Sequence, residues 1–128
     1  MTVNIQATNF DLTPHWRSYV EGKLADSFRA FGDMNLEPVI VDIELELTTR
    51  RYRRSRDDRQ LYRAEVNVQI PGRLIRAEES APDLRKAIVK MKKTLTEEIR
   101  SWRERLIDAR RAGERIAKDR LAGQDEPE

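Results

Sequence analysis

Arg85, Lys86, Lys90, Lys92 and Lys93 fall between Leu84 and Thr96 with no acidic residue among them. At about 100° per residue on a helix, Lys86, Lys90 and Lys93 lie opposite the apolar positions, and Arg85 and Lys92 take one flank. Arg100 extends the far face and Arg103 the flank. The chemistry such a row performs is electrostatic. Cations at this spacing meet successive phosphates of a nucleic-acid backbone and release its counterions. A solvated helix face is the plainer reading, but it interleaves signs at i,i+4, as Glu97, Glu98 and Glu104 do further along. The acid-free stretch therefore favours a polyanion.

A second basic concentration is the run Arg50-Arg51-Tyr52-Arg53-Arg54-Ser55-Arg56-Asp57-Asp58-Arg59. Tyr52 is its single apolar anchor. Arginine offers planar, bidentate phosphate contacts, and a tyrosine among arginines can stack on a base. The run reads as a hairpin loop that orders on binding RNA.

Catalysis finds little support. His15 is the one histidine and falls in the first turn of a helix, where an exposed ring is the ordinary outcome. Glu78, Glu79 and Asp83 are explained by charge complementation at a helix start. Glu44 and Glu46 belong to the solvent face of a strand. No glycine-rich phosphate loop, metal-ligand spacing or nucleophile motif occurs, so no enzyme, cofactor, metal or small-molecule substrate is expected.

The 128 residues suit one domain with a modest core. The net charge of +2 conceals an uneven distribution. Residues 1–49 carry three basic and eight acidic side chains, and residues 50–60 carry six arginines and two aspartates. Residues 81–128 carry thirteen basic and ten acidic side chains. Local basic patches on a near-neutral chain point to a defined docking surface. With no cysteine, disulfides and thiolate sites are excluded. No apolar run approaches a membrane span, and the start lacks a signal-peptide pattern, so a cytoplasmic protein is expected.

The elements that must position these residues follow from hydrophobic period. Val3, Ile5 and Ala7 alternate as a strand. Thr13-Pro14 caps a helix of about 18 residues, with Trp16, Val20, Leu24, Ser27 or Phe28, and Phe31 on its apolar side, ended by Gly32-Asp33. Val39, Val41, Ile43, Leu45 and Leu47 form one face of a second strand. Ala64, Val66, Val68 and Ile70 form that of a third, and Pro71-Gly72 turns into a fourth around Ile75 and Ala77. A second helix opens near Asp83, carries Leu84, Ile88, Met91, Leu95, Ile99, Trp102 and Leu106 as its stripe, and continues to near Leu121. Gly123 to Glu128 reads as an acidic, disordered tail.

The expected class is α+β, in the order β-α-β-β-β-α, a four-stranded sheet with two helices on one face. If the first two strands are parallel, the first helix is their crossover. The arginine-rich loop and the start of the second helix then share one end of the sheet.

In this order the residues resemble a known family. Asn9-Phe10-Asp11-Leu12-Thr13-Pro14, Arg17, Tyr19-Val20 and Lys23-Leu24 are similar to the opening of the ribosome hibernation promoting factor and ribosome-associated inhibitor A family, also called the sigma-54 modulation family. Ile75-Arg76-Ala77-Glu78-Glu79, Asp83-Leu84 and Ala87-Ile88 resemble its fourth strand and second helix. The resemblance covers residues 3–106. It implies a domain like that of double-stranded RNA-binding proteins, placed on the 16S ribosomal RNA of the small subunit's decoding region. There it would block messenger and transfer RNA and silence translation in stress or stationary phase. By position it adds Lys23 to the RNA contacts. The family has tyrosine at Arg85, lysine at Thr94 and arginine at Glu97, so these contacts need not be copied.

Residues 1–106 are therefore expected as the ribosome-binding domain and 107–128 as a helical extension and tail. The length implies a short form with no dimerisation domain of its own. Two other readings stay open: a protein-interaction regulator of sigma-factor type, and a generic double-stranded RNA binder.

Overall fold

Residues 1–48 and 61–124 are described by a computed structural model. Strand β1 (Thr2–Thr8) is followed by helix α1 (Pro14–Phe28) and a 3-10 turn (Arg29–Phe31). Strands β2 (Ile40–Thr48), β3 (Leu61–Ile70) and β4 (Arg73–Ala81) lead into helix α2 (Leu84–Gln124). The sheet order is β1-β2-β3-β4. β1 and β2 are parallel, with Ile5 opposite Ile43. The other pairs are antiparallel, with Ile43 opposite Val66 and Val66 opposite Ala77. The register places every second residue on one face, so Val41, Ile43, Leu45, Ala64, Val66, Val68, Ile70, Ile75 and Ala77 are all buried together.

Both helices close that face. Val20 and Leu24 of α1, and Leu84, Ile88, Met91, Leu95 and Ile99 of α2, join the strand residues in one core. Helix α1 starts as its sequence dictates: Thr13 Oγ1 accepts the Trp16 backbone N–H at 3.3 Å, and Pro14 fills the first turn. Of the pair Ser27 and Phe28, it is the serine that is fully buried. Its hydroxyl donates to the Lys92 carbonyl at 3.1 Å, and Thr96 Oγ1 lies 3.0 Å away. This polar tie fixes α1 against the N-terminal third of α2.

Helix α2 runs past Leu121 to Gln124, so Gly123 and Gln124 are helical rather than part of a tail. Its residues from Asp108 to Ala122 are exposed, with Ile116 and Leu121 among them. A helix without an apolar partner projects beyond the core. No helix among the described residues is long and apolar enough to cross a membrane.

Candidate nucleic-acid interface

The core-facing stripe of α2 determines where its cations go. With Ala87, Ile88, Met91 and Leu95 buried, Arg85, Lys86, Lys90, Lys93 and Arg100 are exposed. Lys92 is half-buried beside α1. Among the described residues, none of these six side chains, nor Lys23, has a carboxylate within ion-pair distance. Cations without a carboxylate partner keep their charge available to an external polyanion.

Helix packing brings two of the expected contacts together. The Arg85 guanidinium sits over the Tyr19 ring at 5.0 Å and the Trp16 ring at 6.0 Å. Lys23 Nζ lies 5.4 Å from the centre of the same Tyr19 ring. Tyr19 thus gathers one cation from each helix, holding both by cation–π attraction while their N–H donors remain available. The i,i+4 spacing of Tyr19 and Lys23 is a local signal for half of this arrangement. Arg85 is far away in sequence, and nothing local signals the other half.

Lys90 and Lys93 border a different environment. They share a shallow depression with Glu79, Thr94 and Glu97, and Thr94 Oγ1 donates to Glu79 Oε1 at 2.9 Å. Glu79 therefore anchors the N-terminal third of α2, and Glu78 pairs with arginines across the sheet. Their place in the sequence assigns both to charge complementation at the start of α2, but neither complements it, because the alternation of β4 turns them to opposite faces before the helix begins. Asp83 alone of the three does so. Its Oδ1 accepts the backbone N–H groups of Arg85 at 2.7 Å and Lys86 at 3.4 Å.

Arg50, Arg51, Arg53, Arg54 and Arg56 lie outside the described residues. The strand ends that flank them are described: Thr48 pairs with Leu61, Thr48 Oγ1 donates to the Leu61 carbonyl at 2.8 Å, and Tyr62 pairs with Ala81. Thr48, Leu61 and Ala81 therefore occupy the sheet end from which α2 departs. Arg103, expected on the flank, is half-buried. Its guanidinium covers Gly32, whose φ of 66° is the left-handed region, and its Nε is buried without a partner among the described residues.

The outer face of the sheet has the opposite character. Glu44, Glu65 and Glu78 stand directly across from one another on adjacent strands, a like-charge row that is unfavourable by itself. Arg63 offsets it. Its guanidinium reaches Glu44 and Glu46 at 3.0 Å each, pairs with Glu65, and approaches Glu78 at 3.4 Å. Arg76 adds contacts to Glu65 at 3.3 Å and Glu78 at 3.2 Å. Burial works against the Arg63 charge. Hydrogen bonds to Glu46 and Glu65, then the charges of Glu46 and Glu44, outweigh it and hold the pKa above its ordinary value. The Asn67 side-chain amide, donating at 3.0 Å, overcomes burial with help from Arg63 and Arg76 and draws Glu65 below the ordinary carboxylate value. Strand alternation revealed the wet face, but the pairing needs the register.

Among the described residues, no group of three or more potential metal ligands converges. The arrangement is a basic helical face beside an aromatic cluster, backed by an acidic sheet. The family model described as "Sigma 54 modulation protein / S30EA ribosomal protein" matches residues 3–107. A ribosome hibernation promotion factor of Deinococcus radiodurans is 32% identical over 109 residues, which cover 85% of this chain and 52% of that protein. The chain thus spans about half the length of that relative. The crystal structure of the Thermus thermophilus Protein Y N-terminal domain superposes with a TM-score of 0.62 at 29% identity, covering 80% of this chain and all of that domain. A ribosomal subunit interface protein from Coxiella burnetii shares the fold, with a TM-score of 0.60 at 16% identity over 81% of this chain and 99% of that one. With the family match running from β1 into α2 and the β-α-β-β-β-α fold shared, the chain belongs to the Sigma 54 modulation protein / S30EA ribosomal protein family.

Proposed function

We propose that this chain is a non-enzymatic, cytoplasmic ribosome hibernation factor. It docks the basic face of α2 on 16S ribosomal RNA in the small subunit's decoding region and obstructs messenger and transfer RNA under stress or starvation. The observation that carries the reading is the exposed row Lys86, Lys90 and Lys93, without carboxylate partners among the described residues, with Arg85 and Lys23 held at its N-terminal end by Tyr19. Lys92 and Arg100 extend this surface, and the arginines from Arg50 to Arg56 add a second contact. The D. radiodurans relative, named as a hibernation promotion factor, points the same way.

The test is sedimentation of the purified chain with small ribosomal subunits through sucrose gradients over a range of salt. Binding at low salt that falls steeply as salt rises is the expected outcome. Absence from the subunit fraction at low salt overturns the reading. Binding that ignores salt transfers the function to a protein contact, as a sigma-factor-type regulator would make. Equal binding to free RNA duplexes identifies a generic duplex binder.

A further inference from the structure

The chain has two Trp, three Tyr and three Phe, and three of these, Phe10, Trp16 and Tyr62, line one pocket of about 330 Å³ with Pro82, Asp83 and Leu84. The pocket is assembled from four separate parts of the chain. Asn9, at φ 66°, turns the backbone after β1 in a conformation that asparagine tolerates better than most residues. Its side-chain amide donates to the Leu47 carbonyl at 3.1 Å. That turn delivers Phe10 to Tyr62, whose ring stands edge-on to it at 5.8 Å and 86°. Trp16 comes from the first turn of α1, and residues 82–84 from the start of α2.

Its surroundings are cationic. Arg85 lies over Trp16, and Lys86 is exposed on the next residue. Asp83, the carboxylate on the rim, is engaged with the first turn of α2. An aromatic-lined recess beside cations is the pattern by which proteins hold single-stranded nucleic acid: rings take the base and cations take the phosphates.

We infer that the pocket of Phe10, Trp16 and Tyr62 receives one unpaired nucleobase of an RNA strand whose phosphates run onto Arg85 and Lys86. The inference rests on the RNA reading of α2 and adds a subsite that phosphate contacts alone do not require. It makes the preferred partner an RNA with a splayed-out base, such as a bulge or internal loop, rather than a continuous duplex.

The experiment uses the full chain carrying Trp102→Phe, which leaves Trp16 as the sole tryptophan. A short oligoribonucleotide of mixed adenosine and cytidine is titrated against an abasic strand with the same number of phosphates. The base-bearing strand is expected to quench Trp16 emission and to bind about five- to 150-fold tighter, the range for stacking of one base. Tyr62→Leu and Phe10→Leu, which keep apolar bulk and whose folding is checked by circular dichroism, should shrink that preference severalfold without changing the salt dependence. Equal affinity and unchanged emission with both strands overturn the pocket and leave the basic helix standing. Leucine variants that are folded and keep the full preference also overturn it. If neither strand binds at low salt, the pocket is not a site for unpaired RNA, and co-sedimentation with small subunits judges the helix separately.

Discussion

Lys86 and Lys90 stand one helical turn apart on the exposed side of α2, away from Ala87, Ile88 and Met91. On the proposed RNA reading, reversing both charges would remove two phosphate contacts and add two repulsions, with no core atom disturbed. Lys86→Glu with Lys90→Glu should therefore abolish co-sedimentation with small subunits while circular dichroism and the thermal midpoint stay near wild type. Retained binding would refute the helix assignment. On the other face, Arg63 holds four glutamates, and Arg63→Met would leave the Glu44, Glu65 and Glu78 row with Arg76 alone. A loss of about 1–3 kcal/mol in urea unfolding is expected for removing one partner from such a network. Glu65 sets the acid limit of the same cluster. Its folded pKa lies below the ordinary 4.5, so its contribution is complete above that value and is lost as pH falls through the folded value. The thermal midpoint of the wild type should drop more between about pH 5 and about pH 3 than that of Glu65→Gln. Arg63, raised rather than lowered, stays charged throughout that window.

At the scale of elements, the strands were legible because burial imposes a two-residue period on Val41, Ile43 and Leu45 and again on Ala64, Val66 and Val68. The start of α1 was legible because Thr13 and Pro14 act locally. Local spacing does not decide between Ser27 and Phe28, because the burial of Ser27 depends on a carbonyl 65 residues away, at Lys92. The site divided in the same manner. The exposed face of α2 follows from helical geometry, whereas the meeting of Arg85 with Tyr19 depends on how two helices cross. Gly32 shows both sides at once. Its role in ending the first helical segment is local, but the Arg103 guanidinium over it is tertiary. A methyl group there would lie 3.0 Å from Arg103 Nη2 at a φ of 66°. Gly32→Ala should therefore destabilise the fold by about 1–3 kcal/mol in chemical denaturation, because a φ of 66° with a ψ of −135° is a backbone conformation that L side chains rarely adopt. The exposed end of α2 makes the contrasting case. Truncation after Ile107 should change unfolding free energy by no more than about 0.5 kcal/mol, as for other surface positions, because no buried side chain follows it among the described residues.

For the whole molecule, the near-neutral total is misleading, since the sheet face and the α2 face carry opposite signs. Affinity for RNA should accordingly track the number of phosphates met by α2 and not the net charge. Each exposed α2 lysine that contacts a phosphate should contribute about one unit to the slope of log affinity against log salt, and Lys86→Ala should reduce the slope by about that amount. A slope that is unchanged by this substitution would mean that Lys86 meets no phosphate. The Arg63 cluster also governs the approach, before any contact forms. Glu44, Glu46, Glu65 and Glu78 outnumber the two arginines they share, so the outer sheet keeps a residual negative field. Near a polyanion that field pushes one side of the molecule away while α2 is drawn in, which amounts to a torque. A molecule so charged would turn during a diffusional encounter with a polyanion and arrive helix first, so that fewer collisions are wasted on the wrong face.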